Sequence, residues 1–259
     1  MILVIDIGNT NTVLGGVENE RLKFTLRIRS DRLKTVDEYM LTVKGLLEIK
    51  GVDPAQVEGG IISSVVPELK LVMVRAMENL TGKRFLVVGT GIKTGLNIKM
   101  DNPGQLGADL VADAVAALAK YKPPLVVFDM GTATTMSVID KDGCYIGGMI
   151  IPGLRLSVDA LSARAAQLPY INLEAPERLI GTNTIDCMQS GAIYSNAAMI
   201  DGLVDRVEEE LDQHVTAVAT GGLMDTVLPY CKRQIHYNEN LMLEGLQVLY
   251  RKNCGKRDR

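Results

Sequence analysis

The feature that most constrains this chain is a motif that occurs twice. Near the start, an apolar run from Ile2 to Ile5 ends at Asp6-Ile7-Gly8-Asn9-Thr10-Asn11-Thr12. Later, Leu125-Val126-Val127-Phe128 runs into Asp129-Met130-Gly131-Thr132-Ala133-Thr134-Thr135. In both copies an apolar segment ends at an Asp, a Gly stands two residues on, and small polar residues follow. Another apolar run then begins, Val13-Leu14 in the first copy and Met136 to Ile139 in the second. A long-period internal repeat implies that one half-molecule is used twice. A chain of 259 residues has room for two halves, each with a core.

The surrounding pattern supports that division. Ile2 to Ile5, Val13 to Val17 and Leu22 to Ile28 read as three strands of a meander. Leu125 to Phe128, Thr134 to Ile139 and Tyr145 to Ile151 repeat it, with Asp142-Gly143 as a hairpin signal. Further strands are expected at Gly60 to Val66, Phe85 to Val88 and Val215 to Ala219. Helical spacing marks Asp37 to Ile49, a helix opened by Pro67, Val111 to Lys120, and Gly153 to Ala166. It also marks a long run after Thr184 to about Leu211, with Thr184 as N-cap candidate, and Asn238 to Tyr250. Lys122-Pro123-Pro124 breaks the chain between the copies, which sets domains at 1–121 and 122–259. Strands alternating with helices around a repeated meander give an α/β class, with sheets covered by helices.

Composition excludes several functions. A net charge of -3 lacks the basic footprint of a nucleic-acid binder. The basic groups Arg251-Lys252 and Lys256-Arg257 read as a solvated tail. No apolar run approaches about 18 residues, so no membrane partner is expected, and no signal peptide is recognisable at the start. Cys144, Cys187, Cys231 and Cys254 form no C-x-x-C pair and match no zinc spacing, which suits reduced thiols in the cytoplasm.

The repeated turn suits phosphate chemistry. Gly lets the backbone approach a phosphate closely and its N–H groups cradle it. The Asp can hold a cation beside the phosphates, as Mg²⁺ is held by one or two carboxylates plus substrate oxygens. Two such turns would line a nucleotide cleft between the two domains. A single Asp-x-Gly is often only a strand-end turn; the pair is more telling. There is no Walker loop, and no Gly-x-Gly-x-x-Gly follows a strand. Asp109, in Gly107-Ala108-Asp109, is the candidate base for a hydroxyl nucleophile, with a helix N-cap as its alternative role. Asp113, one turn on, reads as a surface residue. Gly221-Gly222 suits either a nucleotide lying flat on the backbone or a turn entering a helix. His214 and His236 stand alone and read as structural or exposed.

These turns resemble the phosphate motifs of the acetate and sugar kinase/Hsp70/actin superfamily. The whole chain more closely resembles type III pantothenate kinases. The matching stretches are Asp6-Ile7-Gly8-Asn9-Thr10-Asn11, Asp101-Asn102-Pro103 with Gly107-Ala108-Asp109, and Asp129-Met130-Gly131-Thr132-Ala133-Thr134. Gly147-Gly148 with Ile151-Pro152-Gly153 and Gly181-Thr182-Asn183-Thr184 complete them. The resemblance implies two tandem actin/ribonuclease H-like domains and ATP-dependent phosphorylation of pantothenate, the first step towards coenzyme A. It places Asp6, Ile7, Gly8, Asn9, Thr10, Asn11, Thr12 and Val13 on the ATP phosphates. Asp6 would hold Mg²⁺ through water, and Thr132 would also contact ATP. It makes Asp109 the base and Asp129 the ligand of a monovalent cation, K⁺ or NH₄⁺. Met100, Gly107, Ala108, Asp109, Leu110 and Thr184 fall on the pantothenate side. A homodimer is implied, with the long helix after Thr184 (Ala192, Ile193, Ala197, Ile200, Leu203) serving either the interface or the core of its own domain. The sequence departs from the family pattern twice. Leu110 stands where Gly-x-Asp is usually followed by Arg, and Met100 where an aromatic usually precedes Asp-x-Pro. Those departures keep two alternatives open: a kinase of the same fold for another small hydroxylated metabolite, and a nucleotide-binding regulator without catalysis.

Overall fold

The computed structural model describes residues 1–254, so Lys256 and Arg257 of the basic cluster lie outside the described residues. In chain order the strands are β1 (Ile2–Ile7), β2 (Asn11–Glu18), β3 (Arg21–Arg29), β4 (Gly59–Ser64), β5 (Phe85–Val87) and β6 (Asn97–Ile98). Then come β7 (Leu125–Met130), β8 (Ala133–Ile139), β9 (Cys144–Pro152), β10 (Thr216–Thr220) and β11 (Ile235–Tyr237). The helices are α1 (Val36–Ile49), α2 (Pro67–Thr81), α3 (Ala108–Lys120), α4 (Leu154–Arg164), α5 (Thr184–Leu211), α6 (Met224–Val227) and α7 (Leu241–Cys254).

The chain divides into two compact units. One holds residues 1–96, 102–116 and the C-terminal residues from Asn240; the other holds 97–101 and 117–239. Helix α7 therefore belongs with the first unit, although it lies in the second half of the sequence. In the first unit the sheet order is β3-β2-β1-β4-β5. β1 pairs antiparallel with β2 and parallel with β4. In the second unit the order is β11-β10-β7-β8-β9-β6, so β9-β8-β7-β10-β11 repeats the first arrangement. β7 pairs antiparallel with β8 and parallel with β10, as β1 does with its neighbours.

Alternation along each strand decides what covers it. In β1, Leu3, Ile5 and Ile7 join a core with Tyr39, Val43 and Leu47 of α1 and Leu69 and Met73 of α2. Val4, on the opposite face, joins Ile61 of β4, Val111, Ala112 and Val115 of α3, and Leu243 and Leu246 of α7. Both faces are buried, so β1 reads as a nearly unbroken apolar run. In β7, Val126, Phe128 and Met130 face a core built with Leu154 of α4 and Ile193, Ala197, Ile200 and Val204 of α5.

Several sequence expectations are corrected. α3 starts at Ala108 rather than Val111, which puts Asp109 inside its first turn. α5 is capped by Asn183, whose side chain accepts from the Asp186 N–H at 3.0 Å, so Thr184 is the first helical residue and not the cap. Of the two roles left open for the apolar stripe of α5, the structure shows the core of its own unit, with Ile193 and Ile200 fully buried. Asp113 is not on the surface; it is 2% exposed. Arg251 and Lys252 are solvated but form no tail. They end α7, where Arg251 lies 2.7 Å from Glu20 and Lys252 Nζ donates to the Thr94 carbonyl at 2.8 Å. β6 and β11 were not expected; at two and three residues they are too short to show alternation.

Candidate functional site

The first Asp-x-Gly turn joins β1 to β2. Ile7 faces Thr12 across the ladder, which leaves the loop Gly8-Asn9-Thr10-Asn11 between them. The Gly8 N–H donates to the Asn11 carbonyl at 3.0 Å. Asn9 and Thr10 are exposed, and Arg32 donates to Asn9 Oδ1 at 3.2 Å. The Ser30 N–H donates to the Thr10 carbonyl at 3.0 Å, and the Thr12 and Ser30 hydroxyls meet at 2.9 Å. Asp6 pairs with Val13 on one side and Ser63 on the other. By alternation its side chain shares the face of Val4, the face that α3 covers. Asp6 and the helix carrying Asp109 thus meet on one face of one sheet.

The second turn is one residue shorter. Met130 faces Thr134, leaving Gly131-Thr132-Ala133, and the Gly131 N–H donates to the Ala133 carbonyl at 3.0 Å. Thr12 therefore corresponds to Thr134, one place away from the ungapped match read in the sequence. Asp129 pairs with Thr220, after which Gly221 sits at φ +96. A Cβ on Gly221 would stand 2.5 Å from Asp129 Oδ1 and from the Met130 nitrogen. Only Gly tolerates both that dihedral and that approach. The Met224 N–H bonds back to the Gly221 carbonyl at 3.2 Å, so this Gly also makes the turn into α6. Thr132 is exposed, and its carbonyl lies against Gly153, where a Cβ would come within 2.1 Å.

Around Asp109 the backbone is tightly drawn. The Val111 N–H donates to the Gly107 carbonyl at 3.1 Å, and the Leu110 N–H donates to Asp109 Oδ1 at 2.9 Å. Gly107, Ala108, Asp109 and Leu110 are all partly exposed. Met100 follows β6, which is held in the second unit. The Lys99 N–H donates to the Tyr145 carbonyl at 2.8 Å, Asn97 donates to Cys144 Sγ at 3.2 Å, and Lys99 Nζ lies 3.0 Å from Asp140. Burial pushes the Asp140 carboxyl up, but the N–H groups of Cys144 and Asp142 and the Lys99 ammonium outweigh it, leaving it below its ordinary value. Sequence reading missed this clip, because its partners lie 41 or more residues apart.

Thr184 is exposed and lines a cavity of about 870 Å³ in the second unit. The cavity lies against α4, α5 and the 181–183 segment, with Leu154, Leu161, Asn183, Cys187 and Ser195 on its walls. His214 is 83% exposed and touches Glu208, while His236 stacks near Tyr121, with ring centroids 5.1 Å apart. The four cysteines are unpaired, and burial pushes the Cys231 thiol up to about 11. Among the described residues no three His, Cys, Asp or Glu groups cluster as a metal site. A divalent ion at Asp6 would take its other ligands from water and phosphate oxygens, a set that suits Mg²⁺.

Comparison with known proteins agrees with this architecture. The family model described as type III pantothenate kinase matches residues 2–206. A type III pantothenate kinase of an Exiguobacterium species is 46% identical, covering 98% of this chain and 99% of the relative. That of Halalkalibacterium halodurans is 43% identical, covering 98% and 100%. Among solved structures, a Baf family transcriptional activator from Campylobacter jejuni superposes with a TM-score of 0.61 at 18% identity, covering 98% and 99%. The activator of 2-hydroxyisocaproyl-CoA dehydratase from Clostridium difficile superposes at 0.56 and 12% identity, covering 98% and 95%. These distant structures share the fold, two α/β units built on the same strand arrangement. The chain belongs to the type III pantothenate kinase family.

Proposed function

We propose that this chain transfers the γ-phosphoryl group of ATP to the hydroxyl of pantothenate, giving 4'-phosphopantothenate. The observation that carries the reading is structural: Asp6 and the helix bearing Asp109 share one face of one sheet, in a chain of this family. Phosphoryl transfer needs positioning and charge neutralisation more than covalent chemistry. The loop from Asp6 to Val13 offers backbone N–H groups and the exposed Asn9 and Thr10 to the phosphates, and Thr132 offers a second contact to ATP. Mg²⁺, held through water at Asp6, would neutralise phosphate charge. Asp109 takes the proton of the attacking hydroxyl; its place in a first helical turn, partly exposed, leaves one carboxylate oxygen beyond the Leu110 N–H bond. Met100, Gly107, Ala108, Leu110 and Thr184 are assigned to the pantothenate side.

Asp129 is assigned a monovalent cation, K⁺ or NH₄⁺. The support is the carboxylate's fixed position against the Gly221 backbone. We also assign a homodimer. Its support is the exposed apolar side chains of the second unit, Ile150 at 81% and Ile180 at 79%; light scattering that gives only monomer would remove this part. Residues 1–121 and 122–259 are kept as the extents of the two repeats. Free thiols and small polar substrates suit a cytoplasmic enzyme.

Leu110 supports a second reading, a kinase of the same fold for another small alcohol. An Arg here would offer a charged donor fork that Leu cannot replace. A coupled assay with ATP, Mg²⁺ and K⁺ separates the two. Pantothenate-dependent ADP release supports the first reading. Absence of such release with pantothenate, but turnover with another hydroxylated acid, supports the second.

A further inference from the structure

The hydroxyl of Ser63 is fully buried and has no hydrogen-bond partner. Ser63 lies near the carboxyl end of β4, in register with Asp6 on β1. In-register residues of parallel strands present their side chains to the same face, so the hydroxyl and the Asp6 carboxylate are neighbours along the sheet. An apolar cluster occupies the same face of the sheet. Val4 and Ile61 precede the pair on the same face, Val88 follows β5, and Val111 and Ala112 of α3 lie in the same cluster. A buried hydroxyl costs stability when it is not bonded, so its retention in such a setting calls for a partner in the working state. Ser64, the next residue, bonds the Val66 backbone through its own hydroxyl, which accounts for one of the two serines and leaves the other.

We propose that Ser63 is a positioning residue for metal-nucleotide binding: its O–H donates to the Asp6 carboxylate when Asp6 engages the water shell of Mg²⁺. This bond fixes one carboxylate oxygen and turns the other towards the ion. A charged acceptor makes the bond stronger than one between neutral groups, and supporting hydrogen bonds behind a metal-facing carboxylate set its orientation. The inference rests on the assignment of Asp6 to Mg²⁺ above.

Calorimetric titration of the full chain with ADP, with and without Mg²⁺, tests it alongside thermal melting of the ligand-free protein. Ser63→Ala should leave ligand-free melting unchanged or higher, because it deletes an unpartnered hydroxyl. It should weaken the Mg²⁺-dependent gain in ADP affinity about tenfold, with metal-free ADP binding unaltered. Ser63→Thr, which keeps a hydroxyl, should restore most of the gain. A lower melting temperature for ligand-free Ser63→Ala, or an undiminished Mg²⁺ gain, overturns the proposal. Asp6→Asn separates the two levels: if it abolishes the Mg²⁺ gain while Ser63→Ala does not, only the Ser63 inference falls. If Asp6→Asn keeps the gain, the Asp6 assignment falls and this inference with it.

Discussion

The two Asp-x-Gly turns follow one pattern and are held in place by different means. In the first, Gly8 to Asn11 form a four-residue loop between Ile7 and Thr12, and polar side chains secure it: Thr12 bonds Ser30, and Arg32 reaches Asn9. In the second, three residues span Met130 to Thr134, and packing secures it, with Gly221 against Asp129 and Gly153 against Thr132. The position of Ser30 is taken by Gly153. One consequence is visible at Thr134, whose buried hydroxyl lacks the partner that Thr12 has. A hydrogen-bonded open loop suits a ligand with many oxygens; a glycine-packed turn suits a fixed carboxylate. The same strand order is compatible with the two different tasks proposed for the turns.

The sharpest test compares the two carboxylates. Asp6→Asn should lower kcat/KM by on the order of 10²–10³ and alter the Mg²⁺ dependence, whereas Asp129→Asn should alter the K⁺ or NH₄⁺ dependence. Steady-state rates across both ion series check this, and identical changes in both would erase the distinction. Next comes Gly221→Ala, which combines a left-handed dihedral with a clash at Asp129 and should cost about 2–4 kcal/mol. Urea unfolding would read that loss; a cost near zero would mean the second turn is not held by packing. A smaller effect separates Thr12 from Thr134. Thr12→Val leaves the Ser30 hydroxyl unpaired and should cost about 1 kcal/mol, while Thr134→Val should be neutral or stabilising. Equal losses in urea melts would remove the contrast.

The smallest effect is with pH. Asp140 and Glu208, both in the second unit, are held below their ordinary values of 3.8 and 4.5. For Glu208 burial acts upward, and the Val215 N–H and the Arg233 guanidinium outweigh it. A depressed carboxyl binds fewer protons folded than unfolded, so its contribution is present above pH 4.5 and fades as pH falls through the lower folded-state values. Urea midpoints between pH 6 and 3, a range of about three units around these values, should show Lys99→Met losing less on acidification than the wild type. An unchanged acid slope would mean that the Lys99–Asp140 clip contributes nothing.

Much of this was legible in the chain. The repeat announced two sheets of one topology, because an apolar run ending in Asp-x-Gly is a local pattern and β7 follows the same rules as β1. The family motifs identified the candidate site residues, and Asn183 could have been seen as the cap from its spacing to Asp186. The rest depended on residues far apart in sequence. β6 exists only because Asn97 and Ile98 find Cys144 and Tyr145, and nothing in two residues signals that. Asp113 looked exposed because it is charged, but α3 is buried from Val111 to Ala117.

By itself, then, the sequence determined the two turns and their strands, since alternation and a glycine two residues after an Asp act over a few bonds. Tertiary structure decided which of those groups stand together. It set Ser63 beside Asp6, wedged Gly221 against Asp129 and carried α7 back to the first unit's core. Strand register and close packing join positions many residues apart, and no short stretch of sequence contains them.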